Sequence, residues 1–249
     1  MLKKRLASLL SLALCASVFF SGTAYAAEPE EANEDYVVTY SAEEITDADT
    51  LLELALSDLP ATISDDGITP LRIADDDELT VDQLLERREY RDGHVEEDRA
   101  STNLAIVDEN GVKATRETIY NGNVSGSGNG NNTVLKATLY YSFYYGNNDM
   151  TGTLYVKTSK TIGQVLASNL SIIPTVEVMC VGYMDFGARE WVDELTFRNV
   201  RVGQSCTVNS TMKTYFPANL YHTSAAGSIN AVDTNGSSIA YASADLRDV

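Results

Sequence analysis

The chain has 249 residues, with 36 Asp plus Glu against 18 Lys plus Arg and a net charge of −18 at pH 7. Nucleic acid and anionic membrane surfaces are excluded as partners, because both would repel so acidic a protein. Cys180 and Cys206 follow the first 26 residues, and the two histidines, His94 and His222, stand far apart, which excludes a structural zinc site.

Residues 1–26 read as a secretory signal. Lys3, Lys4 and Arg5 form a positive start, Leu6 to Phe20 an apolar run, and Ala24-Tyr25-Ala26 a cleavage site. The run is too short to span a bilayer, so no membrane span is expected after its removal, and the chain is expected to be secreted or extracellular. A lipid on Cys15 would require a small residue where Leu14 stands.

Charge then divides the chain. Residues 27–100 hold 24 acidic against 5 basic side chains, whereas residues 101–249 hold 12 against 10 and ten of the fourteen tyrosines. The division predicts an acidic arm or propeptide over 27–100 and a β-sandwich domain over 101–249. Two short helices are expected in the arm. Ser41 and Glu44 form a capping box with Tyr40 and Ile45 as its staple, and Ile45, Ala48, Leu52, Ala55 and Leu59 keep helical spacing up to Pro60. Thr80 and Gln83, with Leu79 and Leu84, repeat the device, for a helix to about Glu89. At net −19 the arm is expected to dock weakly on the rest. The runs Asp65-Asp66-Gly67 and Asp75 to Glu78 lack the ligand spacing of a calcium loop and read as solvated charge.

Leu104, Ile106 and Val112 alternate around the turn signal Asp108-Glu109-Asn110-Gly111. Asn121 to Asn132 is a Gly-, Ser- and Asn-rich connector without the Lys-Ser/Thr of a phosphate loop. The strongest pattern runs from Thr133 to Thr158. Leu135, Ala137, Leu139, Tyr141, Phe143 and Tyr145 share one parity, and Lys136, Thr138, Tyr140, Ser142 and Tyr144 the other, which predicts a half-buried hairpin turning at Asn147-Asn148. The turn sets an expected register in which Leu139 faces Val156 and Tyr140 faces Tyr155. Ile162, Val165, Leu166 and Leu170 suggest a short helix or crossover. Further strands are expected at 174–184, 194–202 and 205–216, with a loop or helical turn around Trp191 and a last hairpin about Asp233 to Gly236. The whole predicts a mainly β protein: a C-terminal antiparallel β-sandwich preceded by an acidic, partly helical N-terminal arm.

Chemistry-bearing motifs are sparse. Ser210-Thr211-Met212-Lys213 spells S-x-x-K, but in an alternating stretch that separates Ser from Lys, and no S-D-N or K-T-G follows. A serine or cysteine hydrolase would need a histidine base, and neither His94 nor His222 has a nucleophile motif beside it. A glycosidase would need two carboxylates across a cleft, for which Glu177 with Glu190, Asp193 or Glu194 is the available set. No motif requires a cofactor or a metal. Cys180 and Cys206 lie on the apolar parity of their strands and are expected to form a disulfide, which would close a loop of about 26 residues worth roughly 3 kcal/mol. Tyr140, Tyr144 and Tyr155 fall on the outward parity and are the expected ligand-contacting residues. The function expected is a non-enzymatic extracellular binding or structural module for a polysaccharide or protein. The alternatives are a proprotein whose acidic arm is removed to release an antimicrobial or toxin-like β-domain, and a glycoside hydrolase using Glu177.

Overall fold

The computed structural model describes residues 36–57, 71–73, 79–108, 113–114, 119, 132–146, 154–184, 189–218, 225–233 and 236–243. Residues 38–249 form one compact unit, and of residues 1–37 only Tyr36 and Val37 are described. The signal stretch, both acidic runs, residues 121–131, the Asn147-Asn148 turn and His222 lie outside the described residues.

Two antiparallel sheets make up the fold. The larger runs in the order β1 (Tyr36–Ser41), β3 (Leu79–Tyr90), β4 (His94–Val107), β5 (Thr133–Gly146), β6 (Leu154–Ala167) and β10 (Phe216–Ala218). β2 (Leu71–Ile73) pairs with β3, and β9 (Ser205–Asn209) with β6. The smaller sheet runs β12 (Gly236–Ser243), β11 (Ala225–Asp233), β7 (Ile172–Met184) and β8 (Arg189–Arg201). The one α-helix with bounds among the described residues, α1, is Ala48–Leu56.

The main core lies between the sheets. Leu135, Ala137, Leu139, Tyr141 and Phe143 of β5 pack with Val176, Val178 and Cys180 of β7 and Ile229 of β11. The inward parity expected for β5 is therefore the one observed. Two glycines set the sheet separation. A Cβ at Gly227 would lie 2.5 Å from Thr161 Oγ1 and 3.2 Å from Leu139 Cβ, and one at Gly163 would lie 2.9 Å from Ile229 Cβ. Side chains there would force the layers apart.

A second core lies on the other face of the larger sheet. Leu51 and Ala55 of α1 pack on Leu79, Val81, Leu104, Ile106 and Val134. This core overturns the expected weak docking of the acidic segment. The chain leading into α1 crosses the sheet and is held by three side chains. Gln83 accepts from Ile45 N at 2.9 Å and donates to Ile45 O at 3.1 Å, Lys136 Nζ donates to Thr46 O at 2.9 Å, and Tyr140 Oη donates to Glu44.

The capping boxes are used differently from the expectation. Asp47, not Ser41, caps α1, accepting from Thr50 N and Thr50 Oγ1. Ser41 ends β1 and Glu44 binds Tyr140 instead. The second expected helix is strand β3. Thr80 accepts from Asn103 of β4, and Gln83 reaches the crossing chain rather than its own N-terminus. The composition boundary at residue 100 falls inside β4, which lies between β3 and β5. A cut there would split a central strand.

The helix or crossover expected at 161–170 is the second half of β6. Val165 enters the main core while Leu166 and Ala167 reach the second, so a strand covered on both faces imitates helical spacing. The stretch around Trp191 belongs to β8. The 205–216 strand is interrupted: β9 ends at Asn209 and β10 starts at Phe216. The last hairpin stands as expected, with Asp233 facing Gly236.

The central register differs from the expectation by four residues from Tyr141 to Tyr144 and by five beyond the break between Tyr140 and Tyr141. Phe143 pairs with Val156 and Tyr144 with Tyr155, whereas Tyr140 pairs with Lys160. Four is even, so the side chains of residues 154–158 keep their expected faces. The connection spans residues 147–153, longer than a two-residue turn, and register breaks in β6 add to the shift.

Cys180 and Cys206 are free and buried, so the expected disulfide is absent. They face each other's sheets at different heights. Cys180 is hydrogen-bonded by Thr161 and Thr158, whereas Cys206 pairs with Gly163, two residues past Thr161 on β6. At about 3.3 Å per residue the two thiols are offset along the strand. Burial pushes both thiols up in pKa.

Candidate functional site

A row of aromatic rings crosses the outer face of the larger sheet, beyond the region covered by the crossing chain. Its starting point is the β3–β4 turn. Gly93 takes φ 88, a left-handed conformation that suits glycine, and its N–H donates to Tyr90 O at 2.9 Å. His94 N donates to Asp92 Oδ1 at 3.1 Å, and Asp92 also holds His94 Nδ1. The backbone bond is the first cause of a lowered Asp92 pKa. This tight connection stacks Tyr90 on His94, with centroids 3.8 Å apart and planes 19° from parallel.

Sheet register carries the row onward. Arg88, Glu96, Tyr144 and Tyr155 are successive cross-strand partners on β3, β4, β5 and β6. His94 lies 4.8 Å from Tyr144, and Tyr144 lies 5.6 Å from Tyr155 at 70°. Tyr215, from the irregular stretch before β10, comes within 5.7 Å of Tyr144. Tyr90, His94, Tyr144, Tyr155 and Tyr215 are each half-buried. Aromatic pairs at such separations attract by roughly 0.5–1.5 kcal/mol each, which holds the row in place.

The next row of partners is polar: Glu86, Asp98, Ser142 and Lys157. Ser142 Oγ donates to Asp98 at 2.6 Å, and Arg88 donates to Asp98. Tyr90 Oη donates to Glu96 at 2.8 Å. Burial pushes the Tyr215 phenol up in pKa, reinforced by the charges of Glu96 and Asp98 and opposed by a hydrogen bond to Ser142. The surface thus offers ring faces bordered by hydrogen-bonding groups. Such a surface binds polar ligands that also have flat apolar faces.

Of the three tyrosines singled out by parity, the structure brings Tyr144 and Tyr155 together and keeps Tyr140 apart. Tyr140 Oη donates to both Glu44 oxygens, at 2.9 and 3.0 Å, and Lys160 Nζ lies 4.3 Å from its ring centre. Tyr90, His94 and Tyr215 were not among the expected contacts. Asp92-Gly93 between two alternating stretches is the signal that would have placed Tyr90 and His94 beside a hairpin turn.

The other candidates are accounted for by ordinary contacts. Glu177 accepts from Asn230 at 3.1 Å on the smaller sheet. Asp193 lies on the opposite face of β8 from Glu194 and accepts from Thr211 N and Oγ1. Ser210 shares a hydrogen bond with Thr158 Oγ1 at 3.1 Å and receives one from Met212 N, while Lys213 is exposed. No group of three or more His, Cys, Asp or Glu able to hold a metal occurs among the described residues. No helix among them is long and apolar enough to cross a membrane. No protein-family model matches the chain, and neither a curated protein nor a solved structure is similar enough to indicate a relationship.

Proposed function

We propose that this chain is a secreted, non-enzymatic binding module that takes a polysaccharide on the aromatic row of its larger sheet. The observation that carries this reading is the convergence of Tyr90, His94, Tyr144, Tyr155 and Tyr215, from four strands and a connecting stretch, on one face. Sugar rings present flat C–H faces to aromatic side chains and hydroxyls to neighbouring carboxylates. The polar row of Glu86, Asp98, Ser142 and Lys157 supplies the second kind of contact. The N-terminal signal pattern supports an extracellular setting.

Release of a β-domain by cleavage near residue 100 is not part of the proposal, since β4 continues from His94 to Val107 in mid-sheet. The test is retention of the full mature chain in native gels containing neutral, acidic or amino polysaccharides. Retention is expected on at least one, and Tyr144→Ala and Tyr155→Ala should each abolish it while Tyr140→Phe keeps it. Passage through every gel unretarded would sink the reading. So would retention that survives both alanine substitutions together.

A further inference from the structure

We infer that the glycan taken by the aromatic row carries free amino groups, an inference that rests on the reading of that row as a glycan surface. Three carboxylates beside the rings share one guanidinium. Glu86 Oε1 lies 3.3 Å from Arg88 Nε, Glu96 Oε2 lies 3.7 Å from Arg88 Nη2, and Asp98 holds the same nitrogen. Lys157, at the end of the neighbouring polar row, adds a second cation, so three carboxylates face two positive charges and one stays in excess. Tyr90, bonded to Glu96, and Tyr144, its cross-strand neighbour, therefore stand against surplus negative charge. The surplus is within reach of a ligand, because the side chains of Glu86 and Asp98 are 38% and 37% exposed.

The same face also shows how it receives an ammonium. Lys160 Nζ sits 4.3 Å from the centre of the Tyr140 ring, and Lys157 Nζ sits 5.7 Å from that of Tyr215. Cations are drawn to tyrosine faces by the ring quadrupole, and a nearby carboxylate adds its own attraction for an ammonium. An amino sugar brings both partners in one residue: a C–H face for the ring and an ammonium for the carboxylate. A polyuronate would instead meet like charge at the row and a chain of net −18 behind it. A neutral or N-acetylated polymer would gain the rings but nothing from the excess negative charge beside them.

The experiment is calorimetric titration of the full mature chain with four oligosaccharides of equal length: glucosamine, N-acetylglucosamine, β-glucose and galacturonate. The glucosamine oligomer should bind at least about tenfold more tightly than the N-acetylated and neutral ones. That advantage should shrink when salt is raised to about 0.15 M, where exposed charges are screened within ~8 Å. Asp98→Asn should narrow the ratio of the amino to the N-acetylated affinity as well, with the near-ultraviolet circular dichroism of the tyrosines serving as the control for an intact row. Equal or weaker binding of the amino oligomer would overturn the inference and leave the row standing as a glycan surface. Absence of binding by all four would overturn the glycan reading itself.

Discussion

Gly227 shows how little slack a single position has between the two sheets. With Thr161 Oγ1 and Leu139 Cβ inside normal contact distance of any added Cβ, Gly227→Ala cannot be absorbed by a rotamer change alone. Overpacking of this kind costs about 1–3 kcal/mol, and denaturant unfolding should read that loss. An unchanged midpoint would mean that the sheets separate more easily than their packing implies. The aromatic row has a similar residue-level basis. Gly93, with its positive φ, makes the turn that stacks Tyr90 on His94, whereas the rest of the row follows from which residues happen to pair. Parity alone assigns Tyr140, Tyr144 and Tyr155 to one face and does so correctly. It says nothing of register, and register decides that Tyr155 meets Tyr144 rather than Tyr140.

At the scale of elements, the chain between β1 and α1 behaves as part of the sheet it crosses. Gln83 satisfies both backbone groups of Ile45, a pair of hydrogen bonds that leaves its amide no better partner. Gln83→Ala should loosen this crossing at a cost of roughly 1–3 kcal/mol and make residues 42–57 the first site of protease attack. Resistance equal to that of the parent chain would show that α1 and its apolar contacts hold the segment unaided. Elements of β5, β7 and the last hairpin were legible in the sequence because each alternates apolar and polar residues or has one clear turn. β3 and β6 were not. β3 carries a capping-box spelling whose Gln serves a distant segment, and the C-terminal end of β6 sends apolar residues into both cores. Local patterns cannot distinguish such strands from helices, since what separates them is the layer on the far side.

For the whole molecule, charge composition proved a poor guide to boundaries. The acidic half supplies β3 and β4, and its carboxylates are used rather than merely solvated. Arg99, almost wholly buried, is placed among Asp82 and Glu97, and their charges together with Tyr141 raise its pKa although burial opposes this. The same burial of polar groups predicts an alkaline limit. Tyr140, Tyr145 and Tyr215 all have pKa values raised from the ordinary 10.0, first by burial and then by neighbouring carboxylates. Each keeps its proton in the folded chain after the unfolded chain has lost it. Their stabilising contribution is therefore intact below about pH 10 and declines as pH rises through the folded values. Thermal unfolding followed on the alkaline side should show this decline, and Tyr145→Phe should make it shallower. A melting temperature that rose across that range would contradict the assignment.

The central claim is that strands from both halves of the chain build one binding surface. Nuclear magnetic resonance of the full mature chain, titrated with a glucosamine oligomer, tests it most directly. The largest shift changes should fall on Tyr90, His94, Tyr144, Tyr155 and Tyr215, together with Glu96 and Asp98. Ile239 and Tyr241, exposed on the smaller sheet, should stay unmoved. Changes centred on Ile239 and Tyr241, with the aromatic row silent, would contradict the account.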